Sequence, residues 1–277
     1  AQERKQGRPT GSTLAPGEMA PIVEHPDVRR MLLTMKSMTQ AARAICYANA
    51  VAIDTAHHGA DKETREKGQV RADLLTPIAK SFSTDIGCEV ASIGVQIHGG
   101  MGFIEETGAA QYYRDARILP IYEGTNGIQA IDLVTRKLPL GNGEVVRAFI
   151  AEMKETAALS HASNNAEMIA IGVSLDAGIA ALDKATDYML AKLRGAPDDC
   201  LAGAAPYLRL IGTVAGGHFL ARAALVTMPG ENPFPPARLA LARFYAEHVL
   251  PASLGLLAPA TSGAAALFAL EADALAG

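Results

Sequence analysis

The side chain best placed for acid–base chemistry is a glutamate between an apolar run and a helix start. Glu123 follows the apolar residues 118–122 (ILPIY) and precedes Gly124 and Thr125, which form a turn before a predicted helix. A carboxylate held against an apolar wall loses hydration and becomes more basic, as a base that works near neutral pH must be. An ordinary glutamate favoured by the positive end of a helix dipole has the same spacing, so both interpretations stay open on spacing alone.

A second candidate is the glycine cluster Gly99-Gly100-Met101-Gly102. A dinucleotide-binding loop needs a preceding strand and a third glycine, but no strand is predicted there and Glu105 stands where the third glycine would be. A helix that ends in Gly99 and Gly100 with a left-handed cap explains the cluster without a ligand.

Other common catalytic and metal-binding patterns have no support. His57 and His58 are adjacent, so their rings point to different faces of a helix, and no cysteine or carboxylate cluster has metal-ligand spacing. The sequence has neither a GxSxG nucleophile elbow nor a cysteine paired with a histidine framework, so acyl-enzyme chemistry is not indicated.

From Asp27 onward, segments with helical periodicity alternate with breaks such as HHGADKE and PLGNGE, and no run of alternating β-branched residues with hairpin turns is present. Residues 9–26 are rich in Pro and Gly and predict a loop. The predicted helices span residues 27–58, 70–97, 109–114, 126–138, 144–158, 163–194, 200–229, 235–256 and 261–275. Pro77 is tolerable only near the first turns of its helix. The sequence therefore predicts an all-α fold, with an antiparallel helical bundle domain over residues 1–140 and a second helical domain over residues 144–277.

The amino-acid composition indicates the broad class of protein. The 277 residues are 49% apolar and 19% charged, which is typical of a packed globular chain and excludes a collagen or a disulfide mini-protein. A net charge of −4 without a dense basic stripe makes nucleic acid an unexpected partner. Charges or glycines interrupt every long apolar stretch, so no membrane span is predicted. Three cysteines without CxxC spacing predict buried, reduced thiols and a cytoplasmic location.

Several segments together resemble one family. The stretch from Gln96 to Gln129, with QIHGGMGF and then YRDARILPIYEGTNGIQ, closely resembles the C-terminal signature of the acyl-CoA dehydrogenase flavoprotein family. ERKQGR, at the start of the chain, resembles that family's cofactor-contacting helix end, and HPDVRRMLLTMKSMTQAARA resembles the next helix of its bundle. This resemblance covers about residues 1–140. The remainder, with PYLRLIGTVAGG and RFYAEHVLP, resembles the extra helical domain of a subgroup that includes 3-methylmercaptopropionyl-CoA dehydrogenases.

The resemblance implies a mechanism and a site. FAD would oxidise an acyl-CoA thioester to the trans-2-enoyl-CoA, with Glu123 of the YEGT motif as the base that removes an α proton. The segment Gln96, Ile97, His98, Gly99 and Gly100 would contact the flavin nucleotide of the neighbouring subunit. Arg4 would pair with the cofactor phosphates, with Gln6 near it, and Thr125 would lie at the cofactor at a helix start. Gly127 departs from the family, where a larger polar or acidic residue is common.

The resemblance also implies missing parts and partners. The family places an N-terminal helical domain and a middle β-domain ahead of these residues, and the chain begins with Ala1 instead of Met, so we expect a piece of a longer protein. Alone it would lack much of the surface that holds FAD. The implied partners are an acyl-CoA substrate, electron-transfer flavoprotein as the acceptor, and further copies of the chain in a homodimer or homotetramer. A non-catalytic helical interaction module and an acyl-CoA oxidase are the alternatives.

Overall fold

The computed structural model describes residues 1–226 and 236–275, which form twelve α-helices and no β-strand. The helices are α1 (Pro26–His58), α2 (Lys62–His98), α3 (Gly100–Phe103), α4 (Ala109–Ala116), α5 (Asn126–Asp132), α6 (Glu144–His161), α7 (Ala166–Gly195), α8 (Pro197–Ala202), α9 (Ala204–Val226), α10 (Ala237–His248), α11 (Ala252–Thr261) and α12 (Ala272–Leu275). The prediction of an all-α fold is confirmed for these ranges. None of the helices within them is long and apolar enough to cross a membrane.

Helices α1 and α2 form the predicted antiparallel pair. Cys46 on α1 lies 3.3 Å from the Ser83 hydroxyl on α2, and the Asn49 amide donates to Thr76 at 3.2 Å, so sequence numbers rise along one helix as they fall along the other. The apolar spacing predicted α1 almost to the residue. The Cys46 thiol is exposed and that of Cys88 half-buried, so the prediction of buried thiols is wrong for both, while Cys200 is buried.

Helix α2 begins at Lys62, and the prediction of a start near Val70 is wrong. The Asp61 side chain caps the helix by accepting a hydrogen bond from the Thr64 amide at 2.7 Å, which lowers the pKa of Asp61. The first two turns are polar on every side, so they carry no apolar periodicity that could predict a helix. Pro77 consequently lies inside the helix instead of near its first turns.

The C-terminal helices are interrupted more often than predicted. The predicted helix 200–229 is broken at Gly203, between α8 and α9. Residues 227–229 of that prediction lie outside the described residues. The predicted helix 235–256, whose first residue also lies outside the described residues, is split into α10, which ends at His248, and α11, which runs from Ala252 to Thr261. Pro251 accounts for the break, because the residue before a proline disfavours the helical conformation. The predicted helix 261–275 is wrong except for α12. Residues 265–268 form a turn, since a short segment needs packing partners to stay helical and Phe268 is exposed.

Helix α9 runs through the centre of the molecule. Its residues 210–218 are all buried, as expected of a stretch of helix that has neighbours on every side. Gly212 of α9 lies so close to α2 that a β-carbon there would be 2.5 Å from the Phe82 ring, and one at Gly216 would be 2.9 Å from Ala41 on α1. The buried core is therefore continuous from Met38 to Ala260. The division into domains at residues 141–143 stays a prediction.

His218 is a fully buried histidine on α9 whose two ring nitrogens have no hydrogen-bond partner among the described residues. Its ring packs edge-on against Phe149, with the centroids 6.1 Å apart. Burial, with smaller contributions from Arg222 and Arg71, lowers the pKa of His218 to about 3. The folded protein therefore holds this imidazole neutral.

We expect His218 to make the protein less stable in mild acid. In the unfolded chain the imidazole has its ordinary pKa of 6.5, so between that pH and about 3 the unfolded state binds more protons than the folded one. Stability from this group is complete above pH 6.5 and falls below it, by about 2 kcal/mol at about pH 5. Urea unfolding at neutral and mildly acidic pH measures the loss. His218→Leu should remove most of it, while His57→Leu at an exposed position should not; equal acid losses in both variants would contradict the assignment.

Candidate functional site

The loop that carries Glu123 is closed by its own backbone. The Asn126 amide donates to the Pro120 carbonyl at 3.0 Å, so residues 120–126 form a compact loop with Glu123 near its middle. Glu123 has a left-handed backbone with φ of 54°, and Gly124 continues it with φ of 79°. A left-handed conformation is uncommon for a residue other than glycine. The Gln129 side-chain amide donates to the Glu123 carbonyl at 3.4 Å and spans the turn.

The predicted helix start at Thr125 is confirmed. Thr125 is the N-cap of α5, and its hydroxyl accepts a hydrogen bond from the Ile128 amide at 3.3 Å. The predicted helix 126–138 is α5 followed directly by a π-helical turn over Leu133–Lys137. Glu123 therefore lies two residues before a helix start, as its sequence position predicted.

Glu123 itself is exposed in this chain. The apolar side chains before it are also exposed, with 53% of Ile118, 50% of Ile121 and 50% of Tyr122 accessible. Soluble proteins seldom expose large apolar side chains in such numbers unless another surface covers them. The chain supplies one apolar wall beside Glu123, and water is excluded there only when a further surface closes over it.

The Asn126 side chain fastens the Glu123 loop to α2. Its amide nitrogen lies 2.7 Å from the Asp85 carboxylate, and its amide oxygen accepts from the Lys80 ammonium at 2.8 Å. The Thr84 hydroxyl and the Ser81 carbonyl are within hydrogen-bond distance as well, at 3.0 and 3.2 Å from the amide nitrogen. Lysine can only donate and an ionised carboxylate can only accept, so these neighbours fix the orientation of the amide.

Charged side chains from both halves of the chain surround the contact between Asn126 and Asp85. Burial raises the pKa of Asp85, whereas the hydrogen bond from Asn126 and the charge of Arg209 lower it. Arg209 of α9 forms a two-pronged ion pair with Glu89, at 2.7 and 3.0 Å, and lies over the Phe82 ring. Asp85, Asn126 and Arg209 line one surface cleft of about 520 Å³ together with Thr125.

A second cluster lies at the C-terminal end of α2. The Arg4 guanidinium donates to the His98 carbonyl at 2.6 Å and to the Gln6 side chain at 2.5 Å. A β-carbon at Gly99, where φ is 62°, would come within 2.8 Å of that guanidinium. The structure thus brings together Arg4, Gln6, His98 and Gly99. Gln96 contributes its carbonyl, which accepts from the Gly99 amide at 3.0 Å, and Ile97 and Gly100 are their chain neighbours.

The chain start is extended where the resemblance implied a helix end, so that expectation is wrong. The Gln6 amide donates to Ala20 and the Ile22 amide donates to Arg4, at 3.0 and 2.8 Å. The chain folds back near Pro16 and runs antiparallel to itself, so backbone groups of residues 4–7 find hydrogen-bond partners in residues 20–22. Arg4 reaches the end of α2 because of this pairing.

The Glu123 loop and the cluster around Arg4 are far apart within one chain. Asn126 contacts α2 at Asp85, and Arg4 contacts it at His98, which is about 20 Å further along at a helical rise of about 1.5 Å per residue. The structure therefore places Thr125 beside Glu123 and gathers Arg4, Gln6 and the segment 96–100 elsewhere. It does not unite all predicted residues in one pocket.

The second cluster can accept an anionic group. Arg4 is exposed and has five N–H donors, of which the His98 and Gln6 contacts engage two. The neighbouring backbone at Gly99 has no side chain in the space that a β-carbon would fill, so a ligand can come close to it. Phosphate oxygens match an arginine fork of this kind. The residues present fit the diphosphate of a nucleotide cofactor.

Sequence patterns missed Lys80, Asp85 and Asn126. An asparagine at the first helical position beside a threonine cap is a weak signal, because Asn side chains readily bond to nearby groups. Its partners lie 41–46 residues away on α2, at positions that show no special spacing.

Comparison with known proteins gives two family matches that together span most of the chain. Residues 15–138 match "Acyl-CoA dehydrogenase, C-terminal domain", and residues 149–271 match "Acetyl-CoA dehydrogenase C-terminal like". A 3-methylmercaptopropionyl-CoA dehydrogenase of Ruegeria pomeroyi is 43% identical over 255 residues, which cover 90% of this chain and 43% of that protein. A butyryl-CoA dehydrogenase of Syntrophomonas wolfei is 30% identical over 250 residues, covering 87% and 40%. The chain spans less than half the length of these relatives.

Solved structures share the fold. ACDH-11 of Caenorhabditis elegans in complex with C11-CoA has a TM-score of 0.70 at 19% identity, covering 86% of this chain and 39% of that one. An acyl-CoA dehydrogenase of Bacillus anthracis complexed with FAD has a TM-score of 0.67 at 18% identity, covering 95% and 45%. An acyl-coA oxidase3 of Yarrowia lipolytica has a TM-score of 0.65 at 17% identity, covering 93% and 40%. At these identities the similarity establishes the helical architecture.

Proposed function

Because the chain belongs to the acyl-CoA dehydrogenase family, we propose that it serves the FAD-dependent α,β-dehydrogenation of an acyl-CoA thioester to the trans-2-enoyl-CoA, with Glu123 as the base. The observation that carries this proposal is the geometry of Glu123. Its carboxylate is accessible, it lies beside exposed apolar side chains, and its loop is fastened to a long helix. A base needs both access to the substrate and a fixed position.

Glu123 accepts the α proton in this reaction. A carboxylate is a weak base in water, so the surface of Ile118, Ile121 and Tyr122 has to be covered before Glu123 can act. The bound acyl chain and the adjoining domains would provide that cover. FAD, when bound, supplies the acceptor for the hydride that leaves the β carbon.

The cofactor-binding residues fall into two groups, and this supports an oligomer. Thr125 lies beside Glu123, while Arg4, Gln6 and Gln96 to Gly100 lie about 20 Å away along α2. A second copy of the chain brings its Arg4 cluster to the flavin that the first copy's Glu123 faces. We therefore propose a homodimer or homotetramer in which each FAD contacts two subunits.

The activity belongs, in this proposal, to a longer protein. Relatives are more than twice the length of the part that matches, so an N-terminal helical domain and a middle β-domain would complete the flavin and thioester pockets. Electron-transfer flavoprotein is the proposed electron acceptor. A cytoplasmic location stays a prediction.

Flavin spectroscopy on the purified full-length protein tests the proposed function. We expect visible flavin absorbance that bleaches without oxygen when butyryl-CoA or 3-methylmercaptopropionyl-CoA is added, with formation of the 2-enoyl thioester. Sedimentation of the same sample should give a dimer or tetramer. Absence of flavin and of bleaching would favour the non-catalytic helical module, and hydrogen peroxide formation in air at the rate of turnover would favour an oxidase. A monomer would contradict the shared flavin site.

A further inference from the structure

The Asn126–Asp85 contact joins the Glu123 loop to the middle of α2. The amide nitrogen of Asn126 and the Asp85 carboxylate are 2.7 Å apart, which is a short distance for an N–H donor and indicates a strong, charge-assisted bond. Asp85 is half-buried, so loss of this donor would take one hydrogen bond from a partly desolvated carboxylate. The contact is therefore costly to break.

The same residue closes the loop from its other side. The Asn126 backbone amide holds the Pro120 carbonyl, while its side chain holds α2 through Asp85 and Lys80. Glu123 lies between the two ends of this closed loop, and its left-handed backbone leaves it dependent on that closure. Only Gly124 and Thr125 separate Asn126 from Glu123, so a displacement at Asn126 is passed along the chain to Glu123.

We propose that Asn126, held by Asp85, is the positioning residue that fixes the Glu123 carboxylate for proton abstraction. The proposal rests on the proposed function of Glu123 as the base. Asn126 acts through the loop, and no contact with substrate is assigned to it. Arg209 pairs with Glu89 one helical turn beyond Asp85, so the C-terminal half of the chain supports the same part of α2.

Loss of the Asn126 contacts should lower the rate constant of the chemical step. Asn126 has its amide engaged by four residues of α2, which leaves the loop one orientation relative to that helix. A shift of about 1 Å in a reacting group can cost about 100-fold in rate while leaving substrate binding in place. Acyl-CoA affinity, which depends on many contacts, should change far less.

The test is an exchange of the two partners in the full-length, flavin-loaded protein. Asn126→Asp keeps an oxygen for Lys80 but puts a second carboxylate oxygen against Asp85, so at about pH 8 these two oxygens repel each other and the loop moves. We expect the rate constant of flavin reduction by butyryl-CoA to fall about 10- to 100-fold, with flavin content and the Kd for butyryl-CoA little changed. Adding Asp85→Asn to that variant restores one donor and one acceptor in reversed order, and should recover the rate to within about 3-fold of the parent.

Asn49→Asp is the matched control. Asn49 also joins α2 to a neighbouring element, through Thr76 at 3.2 Å, and it is buried, but neither Asn49 nor Thr76 is hydrogen-bonded to residues 120–126. This variant should keep the parent rate of flavin reduction. If Asn126→Asp does not retain flavin, Asn126→Ser removes the reach to Asp85 without adding a charge and should also slow the reaction.

The outcomes separate this proposal from the proposed function. If the parent flavin is not reduced by acyl-CoA, the proposed function fails. If the parent is reduced and Glu123→Gln is not, but Asn126→Ser reduces as fast as the parent, only the positioning proposal is overturned. An exchange variant that is no faster than Asn126→Asp alone would overturn it as well.

Discussion

Replacement of Glu123 by glutamine should nearly abolish reduction of the flavin by acyl-CoA. The amide keeps the size and hydrogen-bonding capacity of the side chain, but it cannot take up the α proton. General-base catalysis typically contributes about 10²- to 10⁴-fold, so we expect a fall of that size in the rate constant for flavin bleaching. The measurement is anaerobic mixing of the full-length protein with butyryl-CoA, followed by visible absorbance.

The control for this prediction is Glu106→Gln. Glu106 is also exposed and lies in a short helical turn of the same glycine-rich region, but it is not beside the α5 helix start. That variant should bleach at the parent rate. A Glu123→Gln protein that bleaches as fast as the parent would remove Glu123 from the mechanism, whatever the fate of the cofactor-binding residues.

A single methyl group at Gly212 should destabilise the protein strongly. The β-carbon of Gly212→Ala would lie 2.5 Å from one Phe82 ring carbon and 2.8 Å from another, well inside contact distance. Phe82 is fully buried and lies under the Arg209 guanidinium, so its ring has little room to move. We expect the free energy of unfolding to drop by about 3 kcal/mol, measured as a lower urea midpoint by circular dichroism.

Gly87→Ala, on α2, should instead make the protein more stable. Both glycines lie inside long helices, so both substitutions gain similar helix propensity, but no atom lies within 4 Å of a β-carbon at Gly87. We expect this variant to be more stable than the parent by about 0.5 to 1 kcal/mol. Equal urea midpoints for the two variants would refute the close approach of α9 to α2.

The sequence could predict elements whose signals are local. The apolar stripe of α1 and the Thr125 cap before α5 were found because each lies within a few neighbouring residues. The start of α2 was missed because Lys62 to Gln69 lack an apolar stripe, although Asp61 is a good N-cap. The C-terminal alanine-rich segment was overpredicted because helix propensity alone does not hold a short segment without packing partners.

The candidate site could be predicted in its residues but not in its arrangement. The apolar run before Glu123 and the turn after it mark this residue in the sequence. The amide that holds its loop, Asn126, depends on Asp85 and Lys80, and those contacts join positions more than forty residues apart. The antiparallel pairing that brings Arg4 to the end of α2 also depends on tertiary folding. Long-range contacts of this kind leave no periodic trace in a single sequence.

The continuous core has an evolutionary consequence. Because Gly212 and Gly216 of α9 press against Phe82 and Ala41, a gene truncated after residue 143 would encode a bundle with its inner face open to water. The two halves of this chain should therefore be inherited, lost and recombined together, with compensating changes recurring across the α2–α9 contact.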